Sequence, residues 1–167
     1  MHIVVVGLMG SGKTTAGRLV AAQLRRSFVD GDDRLEARAG QTAAQFADRH
    51  GIDALHDVEA GVLRDALAAS EPTVIAPAAS TIEVAQCREL LGEHFVAWLR
   101  ADARLLASRA ISGAHRPLGD DAEAELRAQA TRRDRMFAAV ADVAIDITGK
   151  PPEVVAAEIL RAAPPAN

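Results

Sequence analysis

The residues whose types and spacing point to chemistry lie near the N-terminus, in the segment Gly7-Leu-Met-Gly-Ser-Gly-Lys-Thr14. This segment fits the pattern G-x-x-x-x-G-K-[ST], the P-loop, whose glycines let successive backbone N–H groups point inward at a polyphosphate. The lysine of this pattern reaches the β- and γ-phosphates, and the hydroxyl that follows it can ligate Mg²⁺. We therefore expect a nucleoside triphosphate with Mg²⁺, held by Gly7, Gly10, Ser11, Gly12, Lys13, Thr14 and Thr15.

Two carboxylates, Asp30 and Asp32, follow the second apolar run of the chain. In an open α/β sheet ligands bind beyond the carboxyl ends of the strands, and alternate residues of an extended segment point the same way. One carboxylate can therefore hold a Mg²⁺-bound water while the other accepts the proton of a substrate hydroxyl. The structural alternative is an acidic helix cap, a role for which we expect Asp33.

The P-loop alone does not distinguish a kinase from a GTPase or a motor ATPase. A GTPase needs an Asn-Lys-x-Asp segment to read its base, and the chain contains none. Motor ATPases usually exceed the 167 residues present here. Residues 111–121 are dominated by loop-forming residues, which is typical of a functional lid. Together these features predict a small-molecule kinase with a mobile lid.

Composition and charge exclude several other classes. A net charge of −4 argues against broad contact with nucleic acid. No apolar run is long enough to span a membrane, and the N-terminus lacks the pattern of a signal peptide, so we expect a cytoplasmic protein without membrane contact. The single cysteine, Cys87, excludes an internal disulfide, and we expect a buried thiol rather than a nucleophile. We also expect a monomer or a weak homodimer.

Short apolar runs alternate with longer helical patterns along the chain. The runs predict strands at residues 2–6, 27–30, 72–76, 94–99 and 143–147. The periodicity predicts helices at residues 13–25, 42–49, 54–69, 82–91, 102–109, 122–140 and 153–161. This alternation predicts an α/β three-layer fold, a five-stranded parallel sheet with helices on both faces, formed by residues 1–167 as a single domain.

The chain resembles the shikimate kinase family over nearly its whole length. The resemblance is carried by the P-loop, by Phe28-x-Asp-x-Asp32, by Phe46 and Gly51 before the helix through Glu59, by Arg116-Pro-Leu118, by Arg133 and by Pro152. It implies the P-loop kinase fold and Mg²⁺-ATP-dependent phosphorylation of the shikimate 3-hydroxyl. It also implies an acceptor that is a small molecule with a hydroxyl and a carboxylate.

The resemblance also implies roles for particular residues. Asp32 corresponds to the residue that contacts the acceptor hydroxyl and is the candidate base, while Asp30 corresponds to a residue that binds Mg²⁺ indirectly. Arg116 corresponds to the lid arginine that reaches the phosphates, and Arg133 to an arginine that binds the acceptor carboxylate. Lys13, Asp32 and Arg116 are thus the expected catalytic residues, and Arg109 and Pro152 correspond to the pair that encloses adenine.

Two departures from the family pattern fall in the acceptor half of the site. Leu55-His56 stands where the family has Phe-Arg, so one of two carboxylate-binding arginines is absent. Pro77-Ala78-Ala79 stands where the family has three glycines, and a proline has no backbone N–H to offer a substrate. We expect His56, Ala78 and Ala79 to contact the acceptor in place of those residues.

These departures leave two alternatives open. One is a kinase for gluconate or another polyol acid, and the other is a regulatory module that binds nucleotide without acceptor chemistry. On the helix that carries Arg133, we expect Arg132 and Arg135 to lie on the solvated surface.

Overall fold

Five short strands form one sheet in the part of the chain that the structure describes. The computed structural model describes residues 1–110 and 121–165. The strands are β1 (Ile3–Val6), β2 (Ser27–Asp30), β3 (Thr73–Ala76), β4 (Phe95–Arg100) and β5 (Val143–Asp146). The helices are α1 (Lys13–Leu24), α2 (Gly31–Ala39), α3 (Ala43–His50), α4 (Ile52–Leu67), α5 (Ala85–Leu91), α6 (Ala103–Ala110), α7 (Ala122–Val140) and α8 (Pro152–Ala162), with a 3₁₀ helix at Ala79–Glu83.

All neighbouring strands are parallel, in the order β2-β3-β1-β4-β5. β1 lies at the centre, where Ile3 pairs with Val74 on one side and with Phe95 on the other. Every residue of β1 and β3 is buried, because a parallel sheet has helices on both faces. The α/β fold expected from the sequence is confirmed.

The helices form two hydrophobic clusters of different size. The larger cluster surrounds the sheet and includes α1, which packs on α8, together with α7, which packs on β4. The smaller cluster joins α2, α3 and α4 through Leu35, Ala43, Leu55 and Val62. This three-helix unit lies beyond the carboxyl end of β2, so it can form a wall of a site at that edge of the sheet.

The sequence missed α2, and its cap differs from our expectation. The helix begins at Gly31, directly after β2, and its N-cap is Asp30, whose side chain accepts a hydrogen bond from the backbone N–H of Asp32. Asp33 is therefore not the cap; it lies in the first turn and forms an exposed ion pair with Arg18. The only buried side chain of α2 is Leu35, so the segment lacks the apolar periodicity that indicates a helix.

The helix predicted at residues 82–91 is divided into two. The 3₁₀ helix ends at Glu83, Val84 is extended, and α5 begins at Ala85. The guanidinium of Arg88 donates to the carbonyl oxygen of Ile82 over 2.7 Å and holds the two parts together. This break changes the direction in which Glu83 points relative to a continuous helix.

His2 precedes the sheet and has a structural role. The strand begins at Ile3 rather than at His2. Nδ1 of the buried His2 accepts from the backbone N–H of Thr73, and its Nε2 donates to the carbonyl oxygen of Leu67. The side chain thereby links β1 to the segment between α4 and β3.

In the ranges 1–110 and 121–165, none of the helices has both the length and the apolar character needed to cross a membrane. Residues 111–120 of the predicted lid, and with them Arg116, lie outside the described residues.

Candidate active site

The P-loop connects the central strand β1 to α1, as its motif requires. Gly10 has a φ of +79°, and a Cβ there would lie 2.2 Å from the carbonyl oxygen of Leu106, so the loop lies directly against α6. Gly12 is the N-cap of α1, where no side chain caps the helix, and the first turn contains no acidic residue. The first N–H groups of α1 and the positive end of its dipole are therefore available to a phosphate.

A buried hydroxyl in the same loop also suits a polyphosphate. Ser11 is 2% exposed, and its Oγ has no hydrogen-bond partner in the described ranges. Buried polar atoms are nearly always hydrogen-bonded, and a phosphate oxygen or an ordered water would meet this need. The residues present thus fit a nucleotide phosphate chain.

Thr14 and Asp30 connect the P-loop to the end of β2. The Thr14 hydroxyl donates to Oδ2 of Asp30 over 2.6 Å, while Oδ1 of Asp30 accepts from the N–H of Asp32 over 2.9 Å. Because the Thr14 hydroxyl donates its hydrogen to Asp30, the lone pairs of its Oγ1 can coordinate a cation. This arrangement of hard oxygen atoms fits Mg²⁺. Lys13 lies beside them, with its Nζ donating to the carbonyl oxygen of Leu8 over 3.1 Å.

A cavity of about 390 Å³ opens directly beside these groups. Its volume falls within the range of about 300–1,000 Å³ usual for small-molecule sites. The cavity brings together nine of the residues that the sequence singled out, from five parts of the chain: Lys13, Thr14, Asp30, Asp32, His56, Pro77, Ala78, Ala79 and Arg133. The three-helix unit supplies one wall and α7 supplies another.

Gly31 makes the junction between β2 and α2 very close to the end of β3. A Cβ at Gly31 would lie 3.0 Å from the backbone nitrogen of Ala78 and 3.3 Å from Cα of Pro77. The carboxylates of Asp30 and Asp32 therefore flank Gly31, which is packed against Pro77 and Ala78. Of these, Asp30 contacts the P-loop and Asp32 lines the cavity.

Arg133 extends from α7 and is buried, with a side chain only 7% exposed. Its Nε donates to Oε1 of Glu83 over 2.6 Å, and its Nη1 donates to Oε1 of Gln129 over 2.7 Å. Burial raises the pKa of Glu83, but the hydrogen bond and charge of Arg133 and the charges of Arg132 and His56 outweigh it, so the pKa lies below its usual value. Glu83 is thus held as a carboxylate at this end of the cavity.

Arg132 is exposed, as expected, but the sequence did not indicate that it also lines the cavity. Sequence analysis missed Glu83 and Gln129 as well. Gln129 precedes Arg133 by one helical turn, and this spacing is a signal that a pattern search on the helix can detect. Cys87 is buried, as expected, and burial raises the pKa of its thiol.

Besides Gly7, Gly10, Ser11 and Gly12 of the P-loop, three further expected residues lie outside the cavity lining. Arg109 is in the last turn of α6, Pro152 is the first residue of α8, and Thr15 is in the first turn of α1. All three are exposed, and their expected roles toward the nucleotide stay predictions.

The chain matches known proteins of one family along most of its length. The family model described as "Shikimate kinase" matches residues 9–164. A protein named shikimate kinase from Symbiobacterium thermophilum is 42% identical over 165 residues, which cover 96% of this chain and 94% of the relative.

Solved structures agree with this match. The shikimate kinase from Acinetobacter baumannii in complex with shikimate has a TM-score of 0.91 and 30% identity, covering 96% of this chain and 90% of that one. A gluconokinase from Sinorhizobium meliloti has a TM-score of 0.64 and 21% identity over 96% of this chain and 90% of that one, which shows a shared fold alone.

Proposed function

The chain belongs to the shikimate kinase family and is a small-molecule kinase that uses ATP and Mg²⁺, and from that premise we propose that its acceptor is shikimate. The observation that carries this proposal is the cavity in which Lys13 and Thr14 of the P-loop lie together with Asp32 and Arg133. A small acid bound there has a cation for its carboxylate and a carboxylate for its hydroxyl beside the phosphate-binding loop.

We propose that Asp32 orients the attacking hydroxyl and accepts its proton. The side chain lines the cavity, and its backbone N–H is fixed by Asp30, so its position is determined by the helix start rather than by a mobile loop. Lys13 is proposed to stabilise the charge on the transferred phosphoryl group. Thr14, and indirectly Asp30, would hold Mg²⁺, which would supply neutralisation of the phosphate charge.

The expected roles of His56, Ala78 and Ala79 toward the acceptor belong to the same proposal. They line the cavity beside Pro77, a position with no N–H group to donate. The acceptor at this wall is therefore bound by side chains and by the N–H groups that remain, rather than by a glycine backbone.

Assays of ADP release with Mg²⁺-ATP test the proposal. Shikimate, gluconate and a blank without acceptor are compared for the wild type, for Asp32→Asn, and for Asp33→Asn as the control carboxylate outside the cavity. We expect turnover with shikimate, a decrease of about 10²–10⁴-fold for Asp32→Asn, and little change for Asp33→Asn. Turnover with gluconate alone supports the polyol-acid alternative, and nucleotide binding without turnover of either acceptor supports the regulatory one.

The setting and assembly of the enzyme are also proposals. We propose that it works in the cytoplasm, where Mg²⁺-ATP is available. We propose a monomer or a weak homodimer, because the large hydrophobic side chains exposed in the described ranges lie in separate parts of the chain: Met1 before β1, Ile52 in α4 and Val154 in α8. Light scattering after size-exclusion chromatography tests this.

A further inference from the structure

Glu83 places one carboxylate between two guanidinium groups of α7. Its Oε1 lies 2.6 Å from Nε of Arg133 and 3.8 Å from Nε of Arg132. Both arginines line the cavity, whereas Glu83 belongs to the 3₁₀ helix beside it. The contact demonstrates that the two guanidinium groups can approach a single carboxylate together.

The two arginines differ in how strongly the protein holds them. Arg133 is 7% exposed, and its Nε and Nη1 are engaged by Glu83 and Gln129. The side chain of Arg132 is 59% exposed, and its Nε is the atom that faces Glu83 in their ion pair. The two Nη groups of Arg132 form the planar donor pair that binds carboxylates in a bidentate manner.

The two guanidinium groups beside Glu83 outnumber its single carboxylate. The carboxylate stays ionised more readily than usual because Arg133, Arg132 and His56 surround it, against the opposing effect of burial. An acceptor carboxylate that enters the cavity experiences the same cations. His56 alone cannot provide the guanidinium that the family pattern has at this position, because an imidazole has no bidentate donor pair.

We propose that Arg132 supplies the second guanidinium contact to the acceptor carboxylate, and that Glu83 is a positioning residue that keeps Arg133 and Arg132 directed to one place. This inference rests on the proposed function, in which the acceptor carries a carboxylate. The second guanidinium contact then comes from α7, whereas the family pattern has its second arginine at position 56, on α4.

Arg132→Gln tests the inference, with Arg135→Gln as a matched control. Arg135 is an exposed arginine of the same helix and does not line the cavity. The KM and kcat are measured for shikimate and for its methyl ester, which keeps the hydroxyls and lacks the charge. We expect Arg132→Gln to raise the KM for shikimate by roughly 10-fold or more, with kcat and the KM for the ester little changed. Arg135→Gln should resemble the wild type.

A second variant moves the guanidinium back to α4. Adding His56→Arg to Arg132→Gln should restore the KM for shikimate, because the two positions serve the same carboxylate. Glu83→Gln should raise the KM for shikimate and leave the KM for the ester near the wild-type value. This result is expected of a residue that acts on the acceptor carboxylate through the two arginines.

The outcomes separate this inference from the proposed function. If the wild type phosphorylates shikimate and Arg132→Gln leaves its KM unchanged, the inference is overturned and the proposed function stands. If calorimetry and ADP release show that the wild type neither binds nor phosphorylates shikimate, both are overturned. A rise in KM that is equal for shikimate and its ester also contradicts the inference, because it reflects a general disturbance of the cavity.

Discussion

Replacing Gly10 by alanine should separate the P-loop from α6. Gly10 and Gly12 have nearly the same backbone conformation, with φ values of +79° and +80°. A Cβ at Gly10 would lie 2.2 Å from the carbonyl oxygen of Leu106, whereas a Cβ at Gly12 has nothing within 4 Å. Gly12→Ala is therefore a matched control, in which the backbone strain is present and the clash is absent.

The magnitudes follow from this difference. An alanine in the left-handed region costs about 1–2 kcal/mol in the free energy of unfolding, and this cost applies to both variants. The Gly10 contact is more than 1 Å shorter than the 3.4 Å at which ordinary contacts begin, so α6 must shift. Overpacking of this kind costs about 1–3 kcal/mol more. For a chain of this size, each kcal/mol corresponds to about 2–4 °C in Tm.

Thermal unfolding followed by circular dichroism, in the absence of nucleotide, measures both variants. We expect the Tm of Gly10→Ala to lie about 2–12 °C below that of Gly12→Ala. Equal Tm values for the two variants would refute the reasoning, since they would mean that the loop does not lie against α6 as described.

Three further predictions concern the site and the sheet. Lys13→Met should lower ATP turnover by about 10²–10³-fold in the ADP-release assay while leaving the Tm nearly unchanged, because its charge acts on phosphate rather than on the core. Asp30→Ala should lower the free energy of unfolding by about 1–3 kcal/mol in urea titration, since it removes both the cap of α2 and the partner of the Thr14 hydroxyl. As the control, Asp33→Ala should change the free energy of unfolding by less than about 0.5 kcal/mol. Burial lowers the pKa of His94, and the positive charge of the nearby N-terminus lowers it further. The unfolded chain therefore binds more protons than the folded one, so stability falls as the pH drops from about 6.5 through that lowered pKa. His94→Gln should reduce this loss in Tm measurements at two pH values.

The sheet and the phosphate-binding loop could be predicted because their signals are local. Continuous apolar runs place each strand to within one residue at either end, and the P-loop glycines and Lys13 form a fixed sequence pattern. In contrast, α2 has one buried side chain, so periodicity does not signal it, and its cap is Asp30, the last residue of β2, rather than the expected Asp33.

The acceptor half of the site depends on contacts that sequence spacing does not show. Whether Arg132, Arg133 or Arg135 faces the cavity depends on how α7 packs against the 3₁₀ helix, which is distant in sequence. Glu83 reaches these arginines because Val84 interrupts the helix predicted there. A single extended residue between two short helices is not marked by any particular amino-acid type.

The three residues Asp30, Gly31 and Asp32 have a consequence for how this enzyme can change its substrate. One carboxylate is tied to the loop that binds the donor, the other lines the acceptor cavity, and a single tightly packed glycine separates them. In the proposed function, the distance between the two reactants is therefore set by covalent geometry at the start of α2. Substitutions at positions 56, 77–79 and 132 can alter which acid is recognised while this distance stays constant. If the proposed function holds, selectivity can thus be changed without loss of phosphoryl transfer, which makes the acceptor wall the natural place to redesign this kinase.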